Sequence, residues 1–343
     1  MQRIERAALD GYLCRPETPI REVMARIDAS PHLFQLVVDA GNRVGGTVTD
    51  GDIRRAILRG TDPAQPASAC MNPKPVLGTA GESHANREKL ERMLFLPIVD
   101  ACGVLEEVLV PDGGASDISV ALVMAGGLGA RLGSRTDRTP KPMLPIRGTP
   151  ILGHILDRLE AVGVVEIYVA VHYLKDQVVR FLDARASRAN YRVIAEETQL
   201  GTAGALGLLP SGLRDPLLVI NGDVMTDVDL AAMSDFHNRH AYDGTIAVAS
   251  HEIEVPYGVV RHGDDGLFVG IDEKPRIRQF VAAGIYYLAP EFRALVPPGK
   301  PFDMPELLNQ GRAAGLKLGL FPIHEYWQDV GRPADLDSAS RRQ

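Results

Sequence analysis

The chain has 343 residues, is 45% hydrophobic and 24% charged, and carries a net charge of −7, a globular composition long enough for two domains or one large one. Negative charge gives no general attraction for nucleic acid, so a phosphate ligand has to be held by local positive groups. No apolar run approaches the roughly 20 residues of a membrane span, and the N-terminus MQRIERAALDGYLC lacks the apolar stretch of a secretory signal. Cys14, Cys70 and Cys102 form no C-x-x-C and cannot all pair, which makes a reducing cytoplasm the expected compartment.

Residues 1–115 contain a faint repeat. LVVDAGNRVGG (36–46) is echoed by PIVDACGVLEE (97–107), with Asp39 and Asp100 each closing a strand-like run. Each copy reads helix, strand, turn, strand, with PIREVMARIDAS before the first and ANREKLERM before the second. In the first copy the second strand runs into GTVTDGDIRRAILRG (46–60), with Thr49 and Asp52 at the head of a helix that stops at Gly60. That stretch resembles a CBS module, with its G-x-x-T-x-x-D-I pattern. The resemblance implies an α+β CBS domain pair over 1–115 in which Thr49 and Asp52 hold the ribose and phosphate of a regulatory adenine nucleotide. Thr and Asp are equally good helix caps, so capping alone also accounts for both. The second copy has no T-x-x-D, leaving at most one such site. PDGGASD (111–117) reads as the linker to a second domain, 116–343.

From 118 onward strands alternate with helices. The apolar run Ile118–Met124 reads as a buried strand and ends in Ala125, Gly126, Gly127 and Gly129, followed by Arg131 and by Lys141 between two prolines. PILGHILDRLEAVG reads as a helix, VVEIYVAV a strand, LKDQVVRFLDAR a helix and YRVIAEE a strand; LGTAGALGLL opens a helix before the strand PLLVINGDV. This alternation predicts an α/β fold with a mostly parallel sheet and helices on both faces. Ligands of such sheets sit outside the carboxyl ends of the strands, where both the glycine loop and Asn221-Gly222-Asp223 fall. TIAVAS, YGVV, FVGIDEK and GIYYLAP read as shorter strands forming a mixed extension that caps the site.

Glycines after a strand let backbone N–H groups approach a polyphosphate, and the Arg131 fork grips its oxygens. The loop is neither G-x-G-x-x-G, since the sixth position from Gly127 is Leu132, nor a P-loop, since no Gly-Lys-Ser/Thr follows. G-G-x-G-x-R-L followed by Lys141-Pro-Met-Leu-Pro145 resembles the signature of the sugar-1-phosphate nucleotidyltransferases. The resemblance covers Val120 to Leu336 and implies a Rossmann-like fold of GT-A type and an Mg²⁺-dependent transfer of a nucleoside monophosphate from an NTP to a sugar 1-phosphate. Ala125, Gly126, Gly127 and Gly129 then cradle the triphosphate, with Arg131 and Lys141 as catalytic cations. By the same resemblance the metal candidates are Asp223, after a buried strand, and Asp329, which matches the family's W-x-D-[VI]-G-x-P. Tyr257 and Gly258, with Glu273 and Lys274 of an E-K-P element, hold the sugar phosphate.

The loop EETQLGTAGAL (196–206) resembles the family's base-contacting loop, with Gly201 and Thr202 among its nucleotide contacts. Guanine offers two neighbouring donors that one carboxylate can accept, whereas uracil and thymine offer one donor flanked by carbonyls. Glu196, five residues before Gly201, tilts the reading toward GTP. The order of modules, with FDMPELL (302–308) and FPIHEYWQDVGRPADL (321–336), resembles guanylyltransferases of surface-polysaccharide pathways, and implies a homo-oligomer without nucleic-acid or membrane partners. One departure is Ala282, where the family carries an Asn that bonds a sugar hydroxyl; it leaves the sugar's identity open. A uridylyl- or thymidylyltransferase on the same scaffold and a nucleotide-sensing protein with a dead transferase site are the rivals. A glycosyltransferase would need a D-x-D, but Asp227-Val228-Asp229 reads as a helix N-cap.

Overall fold

The computed structural model describes every residue except 31, 91–92, 112–116 and 342–343. Most of the expected linker, 111–117, lies outside the described residues. The chain divides into two compact units, Met1–Ala115 and Ser116–Gln343.

The first unit contains β1 (Gln2–Glu5), β2 (Leu13–Cys14), α1 (Ile20–Asp28), β3 (Phe34–Val38), β4 (Val44–Thr49), α2 (Asp50–Leu58), β5 (Gly78–Thr79), α3 (Ser83–Leu90), β6 (Leu96–Val99) and β7 (Leu105–Val110). Its strands form two sheets, β2-β3-β4 and β1-β7-β6-β5. The sequence repeat reappears as two antiparallel hairpins, β3/β4 and β6/β7, each with a register shift at the same place, Val37/Val38 and Ile98/Val99. The two aspartates have the same task. Asp39 Oδ1 accepts the N–H groups of Gly41 and Arg43 at 2.8 and 2.9 Å, and Asp100 Oδ1 those of Cys102 and Val104 at the same distances. Each side chain thereby closes its hairpin turn. The hairpins share one core in which Phe34 stacks on Phe95 with ring centroids 3.8 Å apart.

The second unit begins with β8 (Val120–Met124), the short pair β9 (Pro145–Ile146) and β10 (Thr149–Pro150), α4 (Ile151–Ala161), β11 (Glu166–Val171), α5 (Lys175–Ala184), β12 (Asn190–Ala195), β13 (Leu217–Asn221), β14 (Val224–Thr226) and α6 (Leu230–Arg239). It continues with β15 (Gly244–Glu254), β16 (Val259–His262), β17 (Phe268–Asp272), β18 (Arg276–Leu288), α7 (Glu291–Ala294), α8 (Met304–Ala313), β19 (Leu318–Ile323), β20 (Trp327–Asp329) and α9 (Pro333–Arg341). The main sheet runs β12-β11-β8-β13-β18-β15-β19. Its first four strands are parallel, while β18 is antiparallel to both its neighbours. The inner parallel strands β11, β8 and β13 are rich in Val, Ile, Leu and Ala because both their faces are covered, whereas the edge strand β12 is largely exposed. After β8 the chain steps outward through β11 and β12, then returns to the other side of β8 as β13. That reversal opens a crevice at the carboxyl ends of β8 and β13.

Two expectations need correction. LGTAGALGLL forms only a 3₁₀ turn, Gly204–Leu208; its glycines offer no side chain for a helix face to bury, and Pro210 follows at once. The last third does not consist of shorter strands: β15 and β18 run 11 and 13 residues and stay paired out to Glu254↔Arg276. Their outer halves form an exposed ribbon bearing the separate β16/β17 hairpin. Asp229 caps α6, accepting the Ala232 N–H at 2.9 Å.

Candidate active site

The glycine loop leaves β8 through the buried Ala125, whose N–H donates to Ala170 O at 2.9 Å. Gly126 lies against Glu196: a Cβ there would stand 3.2 Å from Glu196 Oε1. Gly129 has a left-handed backbone (φ 65°), and a Cβ on it would meet Thr136 Cγ2 at 2.9 Å and Lys141 Cβ at 3.1 Å. Conformation and space both require glycine there. Gly129 opens the turn Ala130–Thr136, which carries Arg131.

Lys141 begins a 3₁₀ turn behind the extended Pro140. Its side chain is only 8% exposed and forms an ion pair with Asp223, with Asp329 Oδ1 3.8 Å away. It is therefore not the solvated lysine that a surface loop would offer. Asp223 is set by Gly222, where a Cβ would lie 2.7 Å from Met124 O, so β8 and the chain leaving β13 can meet only through glycine. β14 then pairs antiparallel with β20, Val224 opposite Asp329, and this short ribbon brings the second carboxylate beside the first. Asp329 Oδ1 is buried without a hydrogen-bond partner. Burial raises the Asp329 pKa, and the Asp223 charge adds to it, against the opposing pull of Lys141 and Arg131. Arg131 Nη1 lies 3.6 Å from where a Gly331 Cβ would be, within the turn that follows Asp329.

These groups border an open cavity of about 490 Å³ at the carboxyl end of β13, beside the middle of the antiparallel β18. Arg131, Asp223 and Asp329 line it, and Lys141 reaches it through Asp223. The residues read from the sequence thus fall into separate groups. Glu196 stands behind the glycine loop, buried, its Oε2 accepting the Leu200 N–H at 3.1 Å. Desolvation raises its pKa, partly offset by that bond and by His172. Gly201 (φ 77°) and Thr202 dock on α8: the Thr202 N–H donates to Asp303 Oδ1 at 2.9 Å, and its hydroxyl accepts the Met304 N–H at 2.8 Å.

Tyr257, Gly258, Glu273 and Lys274 lie apart, outside the cavity lining. Glu273 Oε2 would be 3.0 Å from a Gly258 Cβ, so these residues meet one another, but on the exposed hairpin. In the first unit, Thr49 and Asp52 form a reciprocal capping box. Thr49 Oγ1 accepts the Asp52 N–H at 3.2 Å, and Asp52 Oδ2 accepts the Thr49 N–H at 2.9 Å. Asp52 also pairs with Arg55 at 2.5 Å.

Sequence reasoning passed over Asn221, His251, Trp327 and Arg332, which also line the cavity. Trp327 Nε1 donates to Ala283 O at 2.8 Å, fixing the ring against β18. Asn221 and Trp327 are specified positions of the motifs NGD and W-x-D-[VI]-G-x-P that were given no role of their own, and Arg332 fills an open position of the second; nothing local marks His251.

Among the described residues no cluster of three or more His, Cys, Asp or Glu could hold a metal. The pair Asp223 and Asp329, with one buried oxygen unpartnered, fits a hard cation that takes its other ligands from phosphate and water.

A strand-ending glycine loop, two cations and two carboxylates at a switch point define a phosphate-handling α/β site. The chain belongs to the nucleotidyl transferase family, which it matches over residues 120–343. A mannose-1-phosphate guanylyltransferase catalytic subunit beta from Drosophila pseudoobscura pseudoobscura is 33% identical over 222 residues, 63% of this chain and 60% of that protein. A mannose-1-phosphate guanyltransferase from Schizosaccharomyces pombe is 32% identical over 224 residues, 63% and 61%. The chain thus spans about 60% of the length of these curated relatives. The crystal structure of HddC from Yersinia pseudotuberculosis complexed with GMP-PN superposes with a TM-score of 0.51 at 25% identity, covering 65% of this chain and 98% of that one.

Proposed function

We propose that the second unit transfers a nucleoside monophosphate from an NTP, by preference GTP, to a sugar 1-phosphate with Mg²⁺, releasing pyrophosphate. The observation that carries this reading is the buried Lys141 between Asp223 and Asp329 at the switch point, next to the glycine loop and Arg131. An ammonium held there neutralises charge building on the α-phosphate as the acceptor oxygen attacks in line. The acceptor phosphate is already ionised, so the chemistry needs no general base. Asp223 and Asp329 would hold the Mg²⁺, which when bound neutralises phosphate charge. Glu196 against Gly126 supports guanine, as do the mannose-1-phosphate guanylyltransferase relatives and the GMP-PN in the HddC crystal.

The paired hairpins support reading unit 1 as a CBS-type pair, with an adenine nucleotide at Thr49 and Asp52 as its proposed regulator. The direct test is pyrophosphate release with Mg²⁺, crossing GTP, UTP, dTTP, CTP and ATP with hexose, hexosamine and heptose 1-phosphates. A GTP-dependent signal is expected. A signal with UTP or dTTP alone would overturn the reading of Glu196, and silence throughout would overturn the transferase.

A further inference from the structure

The sheet order divides the site in two. The glycine loop and Glu196 stand on the β8–β12 side, whereas the cavity walls, apart from Arg131, come from β13, β14, β18, β15, β20 and the turn after β20. With the nucleotide on the first side, the cavity is left to the acceptor. Its β18 wall, Val281 to Gly284, carries no charge, and Asp223, Asp329 and Asp335 repel an anion. A phosphate monoester brings between one and two negative charges near neutral pH (about −1.5 to −2), so it needs a cation on this side. Lys274 is not in the lining. Two guanidiniums are. Arg131 belongs to the glycine-loop turn and serves the nucleotide side. Arg332 follows the Gly331 turn, where its backbone N–H donates to Asp335 Oδ2 at 2.7 Å. That bond fixes the main chain, and the exposed Arg332 guanidinium has no partner among the described residues.

We infer that Arg332 anchors the phosphate of the sugar 1-phosphate, with its planar fork holding two oxygens while Asp223 and Asp329 remain for the transferred group. This rests on the proposed transferase reading for the side on which the nucleotide sits.

The single tryptophan of the chain, Trp327, lines the same cavity, so its emission reports occupancy without turnover. The full chain, Arg332→Ala and Arg332→Lys are titrated with mannose 1-phosphate, glucose 1-phosphate and inorganic phosphate, and separately with GTP and Mg²⁺. Arg332→Ala is expected to weaken phosphate-monoester binding by about 10- to 100-fold, the range for a lost hydrogen bond to a charged group. Arg332→Lys recovers part of it as a point charge, and GTP binding stays within about twofold. An unchanged monoester Kd in Arg332→Ala, an equal loss for GTP, or no wild-type response to any of the three phosphates overturns the assignment. Pyrophosphate release in the same preparations separates the two readings. Turnover with GTP but an unaffected Arg332→Ala removes the anchor and keeps the transferase. Absent turnover with Arg332-dependent phosphate binding removes the transferase and keeps the anchor.

Discussion

The corner made by β14 and β20 and the outer β16/β17 hairpin both carry motif residues, yet they are built in opposite ways. The corner sets Lys141, Asp223 and Asp329 on short turns against the most buried strands, and its lysine is almost wholly covered. The hairpin sets Tyr257 (74% exposed), Gly258, Glu273 and Lys274 on a two-stranded sheet beyond the core. Such a hairpin has little stability of its own. The core therefore fixes the charges of the corner before any ligand arrives, whereas the residues of the hairpin are organised only relative to one another. Preorganised charge is worth most where the reaction develops charge, so the corner should dominate turnover and the hairpin should tune affinity.

The largest effect is expected at Lys141. Lys141→Ala leaves two carboxylates without their buried counter-charge and should lower kcat by about 10²–10³, the typical loss of one preorganised donor. Steady-state pyrophosphate release measures it, and a loss under tenfold would show that the corner is not the chemical centre. Asp329→Asn comes next. It should lower kcat by about 10² as well, yet raise the melting temperature in the metal-free protein at neutral pH. The sign follows from the raised pKa of Asp329. Its protonated form is the one that folding favours, so ionisation destabilises the fold as pH rises through the folded-state pKa. The advantage of the amide should therefore vanish at acid pH, where the carboxyl is protonated in both states. A variant that melts lower than wild type at every pH would show instead that Lys141 makes the charged carboxylate favourable.

The sequence made the corner legible through residues whose chemistry is local. A buried strand, glycines that let backbones meet and an acid at the strand end placed the glycine loop and Asp223 correctly at the switch point. Asp329 was legible only through its motif, because the β14–β20 pairing that delivers it is a long-range contact. Arg332 fills a motif position open to any residue, Asn221 is legible only as the start of NGD, and His251 has no local signature; only the strand order β13-β18-β15 and the β14–β20 pairing put them round one cavity. Thr202 was legible only as part of its loop; that its hydroxyl and N–H meet Asp303 and Met304, a hundred residues further along, is a long-range contact that no local pattern marks. The length of β15 and β18 was missed because pairing beyond the core leaves no alternation of buried and exposed positions to read.

Lys274 puts the comparison at risk. If the hairpin only tunes affinity, Lys274→Ala should raise the KM for the sugar 1-phosphate by less than about tenfold and leave kcat within about threefold, the pattern of lost ground-state binding. A fall in kcat like that of Lys141→Ala would mean that the hairpin joins the corner during turnover, and the contrast between the two regions would disappear.

The smallest effect belongs to unit 1. Thr49 and Asp52 satisfy each other and the first N–H groups of α2, and Asp52 also holds Arg55. Removing such a cap costs about 1 kcal/mol, so Asp52→Ala should lower the stability of the N-terminal unit slightly in denaturant melts. A nucleotide at this site would have to compete for side chains already engaged, which lowers its affinity by the cost of opening the box. If AMP or ATP alters the transferase rate of the wild type, Asp52→Ala should lose that response while its rate without nucleotide stays the same. A response that survives the substitution would leave Thr49 and Asp52 as helix caps and nothing more.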